Sequence, residues 1–202
     1  MSARLTFWFE FASTYSYPAA MRIRDLAAAA GVILQYRPFL LGPIFSAQGW
    51  TTSPFNIYES KGRYMWRDMA RLCEGYGLSF RKPEVFPQNG LLAARVALVG
   101  LAEGWGEDFV EAVYRAEFAE GRLINDPAVI QSILRSLQRD PKNVFDRAQS
   151  DAIKTQLRMQ TEEAQKRGIF GAPSFTTQDG ELFWGNDRLD AALAWATTRA
   201  AL

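Results

Sequence analysis

The spacing of apolar and polar positions changes character three times along the chain. Residues 4–11 (RLTFWFEF) alternate loosely and are rich in aromatics, which predicts a strand. The hydroxyls of Ser13 to Ser16 are then placed to cap a helix with Pro18 in its first turn, running through Met21, Ile23 and Leu26 to end near Gly31. Residues 32–38 read as a second strand, and a right-handed crossover would set it parallel to the first. Residues 39–56, with Gly42, Pro43, Gly49 and Pro54, read as a shaped loop. From there the apolar spacing is three and four, predicting helices over 57–76, 90–103, 106–120, 127–138 and 142–167. Asp126 before Pro127 and Asp140 before Pro141 are cap-plus-first-residue starts. The end returns to strands: residues 174–178, a tight turn at Asp179 and Gly180, then 181–185. Asn186 and Asp187 cap a last amphipathic helix through Leu189, Leu193 and Trp195.

Without its middle, the order is β-α-β, helices, β-β-α. That is an α/β, thioredoxin-like order carrying a large all-helical insertion. Residues 1–38 and 168–202 would form the thioredoxin-like part, and residues 39–167 the connecting loop and inserted helical domain.

Composition narrows the chemistry. The formal net charge is +1, with no basic or acidic run, so nothing electrostatic points to nucleic acid or a membrane surface. The longest apolar run is far too short to span a bilayer, and the first residues lack a signal-peptide pattern, so a cytoplasmic location is expected. There is no histidine, which removes Ser–His and Cys–His devices and most zinc or iron sites; no metal is expected. The single cysteine, Cys73, excludes an internal disulfide and a Cys-x-x-Cys pair, and reads as a small buried apolar residue. Six tryptophans suit a pocket for a flat molecule and suit an ordinary core equally well. Lys61, Tyr64 and Arg71 share a helix face by their spacing, either to hold a carboxylate or as a solvated charged face with Tyr64 packed beneath.

Six landmarks taken together carry a resemblance. They are Phe11 to Tyr17 (FASTYSY), Pro38 to Phe45 (PFLLGPIF), Lys61 to Tyr64 with Asp68 and Arg71, Phe86 to Asn89 (FPQN), Gly168 to Phe175 (GIFGAPSF) and Phe183 to Arg188 (FWGNDR). In order and spacing the chain resembles the 2-hydroxychromene-2-carboxylate isomerases, and more distantly the kappa-class glutathione transferases and DsbA-like oxidoreductases. The resemblance covers essentially the whole chain.

It implies a glutathione-dependent isomerase that interconverts 2-hydroxychromene-2-carboxylate, or a related intermediate of aromatic degradation, and trans-o-hydroxybenzylidenepyruvate. A kappa-like glutathione transferase and a non-catalytic peptide- or glutathione-binding module are the rival readings. Ser13 stands where thioredoxins carry their first cysteine. The resemblance makes it the catalytic residue, activating the glutathione sulfur with the help of the helix N-terminus. Where the family usually has proline next, this chain has Thr14. Ala172 and Pro173 are expected to present a cis-proline edge to the cysteinyl part of glutathione. Gly185, Asn186 and Asp187 are expected to hold its γ-glutamyl end. Ser53, Pro54 and Asn56 fall where relatives place a pocket-lining motif, and with Lys61 and Tyr64 they are the expected binding residues for a small aromatic carboxylate. By the same analogy a homodimer is expected.

Overall fold

Strand β1 (Arg4–Phe9) is buried on both faces over most of its length, and for that reason its alternation of apolar and polar residues is loose. In the computed structural model, which describes residues 2–200, it lies inside a four-stranded sheet ordered β2-β1-β3-β4. Strand β2 (Ile33–Pro38) runs parallel to it, whereas β3 (Ser174–Thr177) is antiparallel to β1 and β4 (Leu182–Trp184) antiparallel to β3. Met1, Ala201 and Leu202, the outer ends of the expected thioredoxin-like part, lie outside the described residues.

The helices follow in order. Helix α1 (Ser16–Ala29) joins the two parallel strands. After β2 come α2 (Leu41–Ala47), α3 (Pro54–Ile57), α4 (Glu59–Gly75), α5 (Leu91–Glu103), α6 (Gly106–Phe118), α7 (Pro127–Ser136), α8 (Pro141–Ala148) and α9 (Asp151–Lys166). A single 3₁₀ turn at Asn186–Arg188 leads into α10 (Leu189–Ala200).

Period-two geometry sends Leu5, Phe7 and Phe9 to one face of the sheet and Trp8 to the other. Phe7 sits opposite both Tyr36 and Phe175, so a row of rings crosses three strands with centroids 5.4 and 5.6 Å apart. Those residues belong to one continuous buried cluster with Ile23 of α1, Leu193 of α10 and Val113 and Ile130 of the inserted helices. Trp8 anchors a smaller cluster with Phe39, Ile44, Ala164 and Ile169, and its indole N–H donates to Thr176 Oγ1 at 2.9 Å.

Three expectations change. The stretch 39–56 is not all loop, because α2 forms with Pro43 in its first turn, where a missing N–H costs no intrahelical bond. Residues 142–167 are two helices and not one: the chain breaks at Gln149, and the Ser150 hydroxyl caps α9 by accepting the Ile153 N–H. Residues 57–76 likewise divide at Tyr58, whose extended backbone separates α3 from α4. The two aspartate caps are present as expected: Asp126 accepts from the Ala128 N–H, and Asp140 from the Lys142 and Asn143 N–H groups.

Helix α3 lies directly on α4. A Cβ at Gly62 would sit 2.3 Å from the Phe55 carbonyl oxygen, so only glycine allows this approach. Gly62→Ala is expected to lower unfolding free energy by about 1–3 kcal/mol, read by urea denaturation. No change in the midpoint would mean that the two helices part at little cost.

Candidate active site

The turn between β1 and α1 carries Ser13. Its backbone N–H donates to the Glu10 carbonyl at 3.0 Å, and its own carbonyl accepts the Ser16 N–H at 3.2 Å. The Ser13 and Ser16 side chains were expected to cap α1 and do not. The N-cap is Tyr15, with no side-chain capping bond, and Ser16 Oγ is buried without a partner. Ser13 Oγ instead crosses the fold and donates to the Ala172 carbonyl at 2.8 Å. A tertiary acceptor has taken the hydroxyl that the local pattern assigned to the helix. The Thr14 and Tyr15 N–H groups ahead of the helix have no acceptor among the described residues, so this end of α1 can receive an anion.

Both neighbours of Ser13 are tied to α4. Thr14 Oγ1 donates to Met65 Sδ at 3.1 Å, and the Tyr15 hydroxyl donates to Asp68 Oδ2 at 3.0 Å. Burial, reinforced by that bond, pushes the Tyr15 phenol well above its ordinary range. Asp68 also accepts from Arg71 at 3.1 Å, and the Arg71 guanidinium lies 5.6 Å from the Tyr64 ring centre.

Ser13 opens onto a cavity of about 690 Å³. Phe45, Trp50, Phe55 and Phe86 form much of its wall, and Lys61 is a cation on it. The Lys61 ammonium lies 4.7 Å from the Tyr58 ring centre and forms no salt bridge with any described residue. Ser53 and Pro54 also line the cavity, the Ser53 hydroxyl accepting the Phe55 N–H at the start of α3.

Opposite Ser13, the peptide bond between Ala172 and Pro173 is cis, as expected. Ala172 faces the cavity, and its N–H makes no hydrogen bond to any described residue. Pro173 is buried behind it, its carbonyl accepting the Gly185 N–H at 2.9 Å. Phe170 and Trp184 meet at the rim with ring planes tilted 60° and centroids 4.8 Å apart, both about half exposed. The Trp184 ring covers Gly171 so closely that a Cβ there would meet its Nε1 at 2.5 Å.

Other expected residues stand elsewhere. Asn56 does not line the cavity; its amide donates to Thr52 Oγ1 and to the Phe86 carbonyl, which fixes the α3 turn. Tyr64 is 61% exposed and belongs to the Asp68–Arg71 group outside the wall. Asn186 is buried, its amide divided between Tyr76 and Arg22, so it braces the turn from behind. The Asp187 carboxylate is exposed beside Arg188 and opposes ionisation of Tyr15, which places it near the same end of α1. Gly185 bends this turn with φ +110° and does not reach the main cavity.

Cys73 is fully buried in α4, and burial pushes its thiol up to about 11. The native protein should therefore resist a disulfide-type thiol reagent at about pH 8 and react on denaturation. Rapid labelling of the folded protein would show that α4 opens readily.

Two acids went unnoticed in the sequence. Glu10 lines the cavity, and Glu117 lies buried behind it. The signal for Glu10 was present: one carboxylate inside the apolar run FWFEF, three residues before Ser13.

Comparison with known proteins completes the picture. A profile of the DSBA-like thioredoxin domain matches residues 4–194. The chain is 28% identical over 190 residues to the 2-hydroxychromene-2-carboxylate isomerase of Sphingobium xenophagum, spanning 94% of this chain and 96% of that one. It is 26% identical over 200 residues to glutathione S-transferase kappa 2 of Caenorhabditis elegans, spanning 91% and 87%. A solved structure of a selenomethionine 2-hydroxychromene-2-carboxylate isomerase superposes with a TM-score of 0.84 at 27% identity, covering 98% of this chain and 96% of that chain.

Proposed function

The chain belongs to the DSBA-like thioredoxin domain family, and from that premise we propose that it is a glutathione-dependent isomerase of 2-hydroxychromene-2-carboxylate or a closely related aromatic keto acid. The observation that carries this reading is the pairing of Ser13 Oγ with the Ala172 carbonyl, 2.8 Å apart, on the wall of a cavity rich in aromatic rings. A cysteine occupies that serine position in thioredoxins, and this chain has only the buried Cys73.

The residues present fit glutathione. The unpaired N–H of Ala172 offers an edge to a peptide-like ligand, and the helix end beside Ser13 suits an anionic sulfur. Bound glutathione would supply a thiolate, a nucleophile suited to reversible addition at a conjugated carbon so that the double bond can turn. Ser13 holds that sulfur by turning its hydroxyl from the Ala172 carbonyl toward it. The exposed Asp187 carboxylate would meet the γ-glutamyl ammonium. Lys61 receives the substrate carboxylate, and the aromatic wall covers its ring. A cytoplasmic homodimer is part of the same reading, its oligomeric state to be decided by size-exclusion chromatography with light scattering.

The test follows 2-hydroxychromene-2-carboxylate by absorbance, with and without glutathione, while thiol concentration is measured. Equilibration that needs glutathione and leaves its concentration unchanged is expected. Consumption of glutathione in step with product would replace the isomerase by a kappa-like transferase, and no dependence on glutathione would remove both.

A further inference from the structure

Two carboxyl groups stand at the cavity and behind it, and the proposed function uses neither. Glu10 follows β1 and is locked by its backbone, whose carbonyl accepts both the Ser13 N–H at 3.0 Å and the Tyr114 hydroxyl at 2.9 Å. Glu10 is partly buried and lines the same cavity as Ser13 and Lys61. The carboxyl lies against the backbone of Gly90, where a Cβ would come within 3.3 Å of Oε1. Behind it, Glu117 of α6 is fully buried, and neither of its carboxyl oxygens has a hydrogen-bond partner. Tyr114 and Glu117, both on α6, are the titratable groups that face Glu10 from the packed helices. Burial raises Glu10 to about 8 against a weaker lowering from the Ala12 N–H. Glu117 is raised well above the ordinary carboxylate range by burial and by Glu10 itself. Near neutral pH the cavity wall therefore holds a carboxylic acid that can both give and take a proton.

We propose that Glu10 is the acid–base catalyst that opens and closes the ring of the chromene substrate. This rests on the substrate assigned above. In a 2-hydroxychromene-2-carboxylate, the hydroxyl and the ring oxygen share one carbon, which makes the ring a cyclic hemiketal. The ring C–O bond must break before the double bond can turn from cis to trans. One Glu10 oxygen gives its proton to the ring oxygen, which keeps the electron pair of the broken bond and becomes the phenol. The other Glu10 oxygen takes the proton of the C2 hydroxyl, whose O–H pair becomes the second bond of the new ketone. Glu10 finishes protonated as it began, and no oxidant or reductant is needed.

The experiment uses the full chain and Glu10→Gln, which keeps the size and cannot exchange the proton. Interconversion of the ring-closed and cis-open forms is measured by NMR saturation transfer without glutathione. Glutathione binding is measured separately by calorimetry, and the neutral-carboxyl infrared band is titrated from about pH 6 to about pH 9. The wild-type protein is expected to accelerate ring opening and to show a neutral carboxyl that ionises near the upper end of that range. Glu10→Gln should lose about 100-fold in ring opening, lose the part of the band that ionises near the upper end of that range while keeping the part owed to Glu117, and keep its affinity for glutathione. If that variant does not fold, the titration of Glu117→Gln, in which Glu10 is the acid left at the site, decides, because a Glu10 ionised at neutral pH cannot donate. Wild-type ring opening in Glu10→Gln, or an ionised Glu10, overturns this inference and leaves the isomerase reading standing. A wild-type protein inert toward the chromene, even with glutathione, overturns both.

Discussion

Replacing Ser13 with alanine should lower turnover by roughly 100- to 1,000-fold, the usual cost of removing one donor from a developing or bound anion. The fold should survive. The hydroxyl makes one side-chain bond, to the Ala172 carbonyl, and its loss from a site open to the cavity costs about 1 kcal/mol. Thr14 and Tyr15 keep their bonds to α4, so the turn stays in place. The loss should fall on kcat more than on the KM for the aromatic acid, since Lys61 and the ring wall are untouched. Steady-state kinetics alongside a melting curve checks this, and a variant with near wild-type turnover removes Ser13 from the mechanism.

Stability should fall as pH rises from about 5 to about 8, the reverse of the usual acid denaturation. Glu10 and Glu117 keep protons in the folded state that the unfolded chain releases near the ordinary value of 4.5. The folded protein therefore binds more protons over this window. Its full stability is present below about 4.5 and declines as pH rises, for Glu10 until about 8. Glu111, also raised mainly by burial, adds in the same direction. Glu103, Glu163 and Asp179 are held below their ordinary values, and their contribution fades only as pH falls beneath that range. The chain has no histidine to compete in the window. Each pH step of one between the unfolded and folded values removes roughly 1.4 kcal/mol, so the Glu10 effect alone is on the order of 3–5 kcal/mol. Urea midpoints at about pH 5 and about pH 8 measure it. Glu10→Gln should flatten the slope, and adding Glu117→Gln should flatten it further; a level wild-type curve would contradict the burial of both acids.

Legibility in the sequence followed the range of each interaction. The strands, the parallel first pair, the hairpin at Gly180 and the Asp126 and Asp140 caps depend on neighbours within a few residues, and the pattern carried them. Pro43 and Tyr58 misled it, because a proline in a helix's first turn resembles a loop and an extended residue between two helical stretches leaves their joint spacing intact. The candidate site depends on the longest contacts. Ser13 meets Ala172 across 159 positions, and no local rule sends that hydroxyl anywhere but to the helix beside it. Asn186 and Tyr64 have the right chemistry for a ligand, yet the fold turns one into a brace and the other toward solvent. Glu10 was visible as a residue, but only its burial in the folded chain makes it an acid at neutral pH.

The contact between Thr14 and Met65 couples these two positions across the fold. A chain with proline at position 14 has no hydroxyl to give, so nothing there selects a sulfur on the facing helix. Moving either residue alone between such lineages would leave a mismatched partner beside the serine. Exchanging both together carries a complete joint across. The partner of the residue that follows Ser13 thus lies 51 positions away in the sequence.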